Sequence, residues 1–218
     1  MAAKDWQERA AVFDARAAEY DQWYEGSQLF AIERDSLRGL AIPLLGPALE
    51  IGVGPGRFAE ALGVRFGLDP AWSPLVLARG RRVLAAQGVG ENLPYRGNVF
   101  GVVYLLFTLC FLAEPAAVLA ECRRVLKPGG HLVLGLVPAE GPWGKALAAK
   151  KAADHPFYRH ARFYGVAAAE MLLVEAGFAV VERRSTLFQL PGAELGPEVA
   201  RDGARNGAGF VVLAARKE

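Results

Sequence analysis

Cysteine, histidine and methionine are scarce in this 218-residue chain, which has two Cys, three His and two Met. Cys110 and Cys122 make no CxxC pair, so the sequence points to neither a metal site nor a disulfide framework. Both sit in apolar contexts, and buried free thiols suit a reducing compartment; a cytoplasmic protein is expected. Charge of one sign is lacking too. Lys and Arg number 25 against 23 Asp and Glu, a formal net charge of +2. That balance gives no pull toward nucleic acid or anionic membranes, and neither partner is expected. The pairs Arg81-Arg82, Arg123-Arg124 and Arg183-Arg184 read as solvated faces rather than a phosphate track. A long apolar run is missing as well. The longest, Val102 to Ala113, is too short to cross a bilayer as a helix and reads as a buried strand with its exit loop. Residues 1–25 mix charged and apolar positions, so no signal peptide is expected. No repeat, low-complexity tract or composition break divides the chain. At 53% hydrophobic and 22% charged it is expected to fold as a single domain, 1–218.

Glycine is plentiful, and three glycines matter most. Ala48 to Ile51 read as a short buried strand after the breakers Gly46 and Pro47. Gly52, Gly54 and Gly56 follow at alternate positions, and Arg57 to Leu62 open a helix. Glycine lets the backbone turn tightly and approach a ligand, and the free N–H groups of the helix start would face that ligand. Val64 to Leu68 form a second strand, ending in Asp69 and Pro70. A carboxylate one strand over from the glycine turn is placed to accept hydrogen bonds from ribose hydroxyls. A tight turn without ligand uses the same glycines, and a turn residue before Pro70 is the plainer role for Asp69.

The rest of the chain alternates strand and helix. Residues 4–19 read as a helix, followed by the aromatic stretch Tyr20 to Tyr24; Leu29 to Leu40 read as a second helix with a buried stripe. Ser73-Pro74 signals a helix start, with serine as cap and proline at the first position. Residues 83–86 are a third strand and 100–107 a fourth. Pro115 opens a helix stopped by Lys127-Pro128-Gly129-Gly130, and 131–137 are a fifth strand. A helix over 166–176, a strand over 178–190, a loop over 191–209 and a last strand over 210–216 complete the chain. Alternation from 48 to 137 predicts a parallel sheet with helices on both faces and a ligand beyond the carboxyl ends of its strands.

Taken in order, Glu50-Ile51-Gly52-Val53-Gly54-Pro55-Gly56, Asp69, Glu91-Asn92-Leu93-Pro94, Phe100-Gly101-Val102-Val103 and Arg124-Val125-Leu126-Lys127-Pro128-Gly129-Gly130 resemble the class I, Rossmann-like S-adenosylmethionine-dependent methyltransferases of the compact small-molecule type. The glycine spacing is G-x-G-x-G, not the G-x-G-x-x-G of nicotinamide dehydrogenases. The resemblance implies an α/β three-layer sandwich: a mostly parallel seven-stranded sheet with an antiparallel C-terminal strand. It implies S-adenosylmethionine as cofactor, held by Tyr20, Glu50, Gly52, Gly54, Asp69, Pro70, Glu91, Asn92, Leu93, Leu105 and Phe107. Gly52 and Gly54 would wrap the methionine part, Asp69 the ribose, the 90–93 loop the adenine, and residues 105–107 would lie near the methionyl group. Two positions depart from the family pattern. Val89 stands where an acidic residue often contacts the adenine amino group, and Gly101 stands where aspartate is common.

Residues 1–40 are expected to form a helical lid, and 138–164 a cap over the acceptor. His155, Tyr158 and His160 in the cap are the candidate bases; as surface connectors, the same side chains would merely seal the cap to the sheet. The expected activity is methyl transfer to a small molecule by a monomer or homodimer. The alternative is a methyltransferase fold that holds the cofactor without turnover.

Overall fold

A computed structural model describes residues 2–43 and 45–218, with side chains from Trp6 onward. Five parallel strands form the heart of the sheet: β1 (Ala48–Ile51), β2 (Phe66–Asp69), β3 (Leu84–Gln87), β4 (Phe100–Leu106) and β5 (Leu126–Leu136). β6 (Phe178–Thr186), β7 (Arg201–Asp202) and β8 (Phe210–Lys217) complete it in the order β3-β2-β1-β4-β5-β8-β6-β7. β8 runs antiparallel between β5 and β6. The expected seven strands are therefore present, and an eighth, the two-residue β7, pairs with β6 inside the segment read as a loop.

The sheet is covered on both faces because its strands alternate two apolar sets. Val103 and Leu105 of β4 share one core with α6 (Pro115–Val125) and α8 (Val166–Glu175). Val102, Tyr104 and Leu106 share the opposite core with α3 (Gln28–Arg38), α4 (Arg57–Leu62) and α5 (Trp72–Gly80). The chain begins with α1 (Ala2–Ala15) and α2 (Ala17–Gln22), and α7 (Pro142–Ala152) lies after β5. The predicted single helix over 4–19 is broken at Arg16, whose φ of −127° and ψ of 30° leave the helical region.

Local signals place several ends. Ser27 caps α3, its Oγ accepting from Phe30 N–H at 3.4 Å. Pro115 stands in the first turn of α6, and Gly177, at φ +80°, follows α8. Ser73 does not cap α5. The helix starts at Trp72, and Ser73 N–H donates to Asp14 Oδ1 of α1 at 2.7 Å, a cap supplied from a distant part of the chain. Nor does Lys127 to Gly130 lie outside the sheet. β5 begins at Leu126, pairs with Phe100, bulges, and regains register where His131 faces Val102. Gly101 explains its departure from the family pattern: a Cβ there would stand 2.5 Å from Gly46 N, under the 45–46 turn. His131 is buried on β5, and burial together with Arg216 lowers its proton affinity.

Candidate functional site

The strand order reverses between β1 and β4, and the turn after β1 opens there. Gly52 and Val53 N–H both donate to the Leu68 carbonyl, at 2.7 and 3.1 Å, which ties the turn to β2. Gly52, Gly54 and Gly56 have φ of +72°, +50° and +80°, the region that favours glycine. Their tasks differ. A Cβ on Gly52 would overlap the Thr108 side chain, and one on Gly56 would sit 2.9 Å from Ala78 Cβ of α5. A Cβ on Gly54 would meet only the edge of the Tyr20 ring, at 3.5 Å, in the open crevice. Gly54 is thus the position whose missing side chain leaves room for something else.

Asp69 holds this turn. Its Oδ2 accepts from Gly54 N–H at 2.9 Å and its Oδ1 from Ala71 N–H at 2.8 Å. Each oxygen keeps a further lone pair for a ligand hydroxyl. Burial pushes the carboxyl up to about 6, against the pull of those two N–H groups. Glu50, on β1, is also buried, and its Oε2 has no hydrogen-bond partner among the described residues. Burial, with the nearby Asp69 charge, raises its proton affinity well above the ordinary range. A buried carboxyl without a partner is costly and is satisfied by a cationic or hydrogen-donating ligand.

The crevice encloses about 830 Å³ including its mouth. Of the residues expected there, Tyr20, Gly52, Gly54, Asp69, Pro70, Glu91 and Phe107 line it. Glu50 lines a narrow extension beside Gly52 and Gly54. Asn92, Leu93 and Leu105 are not on the wall. Asn92 is exposed, and Leu93 is core, its N–H bonded to Glu121 at 2.8 Å. Leu105 faces the α6/α8 core, while Leu106 faces the crevice; one step along a strand reverses the side-chain direction. Val89 lines the crevice as an apolar residue. Trp6, Phe13, Thr108 and Phe111 also line it, and the sequence motifs do not mark them.

A family model described as a methyltransferase domain matches residues 49–134. A protein of Mycobacterium tuberculosis, described only as uncharacterized, is 49% identical over 203 residues, covering 91% of this chain and 71% of that one. Another from Methanocaldococcus jannaschii, described in the same way, is 32% identical over 208 residues, 94% of this chain and 98% of its own. A crystal structure from Thermotoga maritima, described as a "SAM-dependent methyltransferase, possible histamine N-methyltransferase", superposes with a TM-score of 0.88 at 32% identity. It covers 96% of this chain and all of that one. The chain belongs to the class I S-adenosylmethionine-dependent methyltransferases.

A second cavity of the enzyme, about 1,430 Å³ with its mouth, adjoins the crevice. Phe13, Tyr20, Phe107 and Phe111 line both. Phe13 packs edge-on against Tyr20 and Phe111, each at 5.3 Å, and Trp23 against Phe157 at 4.8 Å. The walls therefore come from four places: residues before β1, the exit of β4, the end of β5 with the segment after it, and Leu187 and Gly209 between β6 and β8. Among the proposed bases, Tyr158 lines this cavity, and burial pushes its hydroxyl up to about 12, so near neutral pH it is a hydrogen-bond donor. His155 packs against Trp23, Phe157 and Tyr158 but does not line the cavity. His160 is exposed, and it is its carbonyl that accepts from Arg9.

One further carboxyl faces the second cavity. Glu33 of α3 is 3% exposed, and its Oε2 has no hydrogen-bond partner among the described residues. The sequence did carry a signal for it. Leu29, Glu33, Leu37 and Leu40 recur at helical spacing, so a glutamate occupies the apolar stripe.

The segment before β1 is anchored by charge. Asp21 of α2 receives Arg57 at 2.7 and 2.9 Å and Arg81 at 2.8 Å. Partial burial raises its pKa, but the two guanidinium groups outweigh that and hold the carboxyl below its ordinary value.

Proposed function

We propose that the enzyme binds S-adenosylmethionine in the β1/β4 crevice and transfers its methyl group to a small molecule held in the adjoining aromatic cavity. One observation carries this reading: the crevice that holds the glycine turn and Asp69 and a larger aromatic cavity share the walls Phe13, Tyr20, Phe107 and Phe111. Such paired sites suit two ligands whose reacting ends must meet.

The residues present fit the cofactor. Asp69 accepts from the ribose hydroxyls with its remaining lone pairs. The open space at Gly54 admits the methionine part, and the unpartnered Oε2 of Glu50 receives its ammonium end. Val89, Gly90 and Glu91 border the base. When bound, the sulfonium supplies an activated methyl group and a leaving sulfur. The protein contributes alignment and the exclusion of water. Residues 1–40 act as a lid, and 138–164 as a cap: Tyr20, Trp23 and Phe157 join the two across the acceptor cavity. Tyr158 orients the acceptor by donating its hydroxyl hydrogen.

Cys110 and Cys122 are both free, and burial pushes both thiols up to about 12, which suits a reducing, cytoplasmic setting and gives them no nucleophilic part. The experiment is titration calorimetry with S-adenosylhomocysteine, then turnover with pools of small molecules. Binding followed by methyl transfer is expected. An absence of binding would remove the cofactor assignment, and binding without turnover on any pool would leave a cofactor-holding module.

A further inference from the structure

Glu33 poses a problem that the cofactor site does not solve. It does not line the crevice; it lines the acceptor cavity. A carboxyl 3% exposed with an oxygen lacking any partner among the described residues is costly unless a ligand completes it. The titratable groups sharing the cavity are Tyr20, Tyr24, Tyr158, Tyr164, Cys110 and Lys150. Lys150 is exposed at the rim, and no ion pair joins it to Glu33 among the described residues. None of the others is a cationic side chain. Among the described residues no cation meets Glu33, and one from outside the chain would complete it.

The surroundings specify what kind of partner. Tyr20, Trp23, Tyr24, Phe157 and Tyr158 present ring faces and edges around the cavity, and rings attract a cation or an N–H group. A carboxyl set among such rings is complementary to a basic nitrogen on an apolar body. It is a poor match for an acid, whose carboxylate would meet a like charge, or for a plain hydrocarbon, which would leave the carboxyl unpartnered.

We propose that the second cavity is an amine site, in which Glu33 holds the nitrogen of a compact apolar amine and so determines the class of methyl acceptor. This rests on the proposed cofactor and acceptor assignment and deepens it. Burial raises the proton affinity of Glu33 well above the ordinary carboxylate range. An amine arrives from neutral water as its ammonium ion, and its N–H groups supply the donor that Oε2 lacks. When a proton of that contact passes to the Glu33 oxygen, the nitrogen keeps a free lone pair.

The test uses the full chain saturated with S-adenosylhomocysteine, titrated calorimetrically with phenethylamine and tryptamine and with their neutral counterparts, 2-phenylethanol and tryptophol. Each amine is expected to bind at least about tenfold more tightly than its alcohol. Glu33→Gln, which keeps the shape, is expected to weaken amine binding by about 30-fold or more and to erase the preference over the alcohol. Its affinity for S-adenosylhomocysteine is expected to be unchanged, which also reports that the variant is folded. Equal binding of amine and alcohol, no amine binding at all, or an undiminished preference in Glu33→Gln would overturn the proposal. A wild-type protein that fails to take up S-adenosylhomocysteine would instead overturn the cofactor assignment beneath it.

Discussion

Asp69 pins the glycine turn and is the proposed acceptor for the ribose, and its raised proton affinity makes the second role depend on pH. Ionised, it offers charge-assisted acceptors to ribose hydroxyls; protonated, it loses them. Cofactor affinity is therefore expected to be level above pH 7 and to fall below pH 6, approaching about tenfold per unit. The sign is opposite for folding, since an acid whose folded value lies above its unfolded one destabilises the fold on ionising, over roughly pH 4 to 6. Calorimetry of S-adenosylhomocysteine between pH 8 and 5 checks this, and a flat profile would remove the ribose role. Asp69→Ala is expected to weaken binding by about 1.5–3 kcal/mol at pH 7.5 in the same assay. Gly54→Val should do more harm to binding, because its Cβ enters the crevice from a φ of +50° that valine resists. Normal affinity in that variant would move the cofactor elsewhere. At this scale the sequence was legible where chemistry sits on a turn: Gly52, Gly54 and Asp69 meet in one crevice. It misled at Leu105, because periodicity in a strand buried on both faces does not say which residue faces the ligand. Glu33 was passed over because a glutamate in a helical stripe was read only for its apolar neighbours.

Among the elements, α2 has no fully buried residue, and the Tyr20 ring against Phe13 and Phe157 is its main apolar attachment. Its anchorage is the Asp21 carboxylate between Arg57 of α4 and Arg81 beyond α5. Side chains of these three are only 13–18% exposed, so the pairing is worth more than a surface ion pair. Asp21→Asn is expected to lower stability by about 2 kcal/mol and to hasten proteolytic cleavage ahead of β1. Because the folded carboxyl has a lowered pKa, its contribution is present above about pH 4 and is lost as pH falls through the folded value. Denaturation of the variant and the wild type at pH 7 and pH 3 measures both effects; equal stability at pH 7 would contradict the anchoring role. Element types and order were readable from apolar periodicity and from Gly and Pro. Ends were less so where the decisive group lies far off in sequence. Asp14 caps α5 from α1, and the Gly101 contact with the 45–46 turn fixes an aspartate's absence; neither is visible in a local window. β7 escaped notice because two residues carry no alternation.

For the whole molecule, the crevice lies where the strand order reverses and the second cavity beyond the ends of β4 and β5, and both borrow walls from the segment ahead of β1. A ligand in the crevice therefore braces distant parts of the chain together. S-adenosylhomocysteine at a hundred times its dissociation constant is expected to add about 2.7 kcal/mol to stability. For a chain of this length that raises the melting temperature by roughly 5–10 °C, measured by calorimetric scanning, and no rise would argue that the crevice is not the binding site. The three-layer arrangement and the position of the crevice followed from the strand–helix alternation. The second cavity did not, because it is assembled from residues as far apart as Phe13 and Gly209, and no motif spans that distance.

The tryptophans have a practical consequence. Of the chain's four indoles, Trp6 borders the crevice, Trp23 and Trp143 border the acceptor cavity, and only Trp72 stands apart, half in solvent. Intrinsic emission of the unlabelled protein is thus an optical gauge of occupancy: replacing Trp6 by Phe silences the crevice channel, and replacing Trp23 and Trp143 silences the other. Filling of the two chambers can be timed separately in a stopped-flow spectrometer, and the order in which they fill can be read without any chemical turnover.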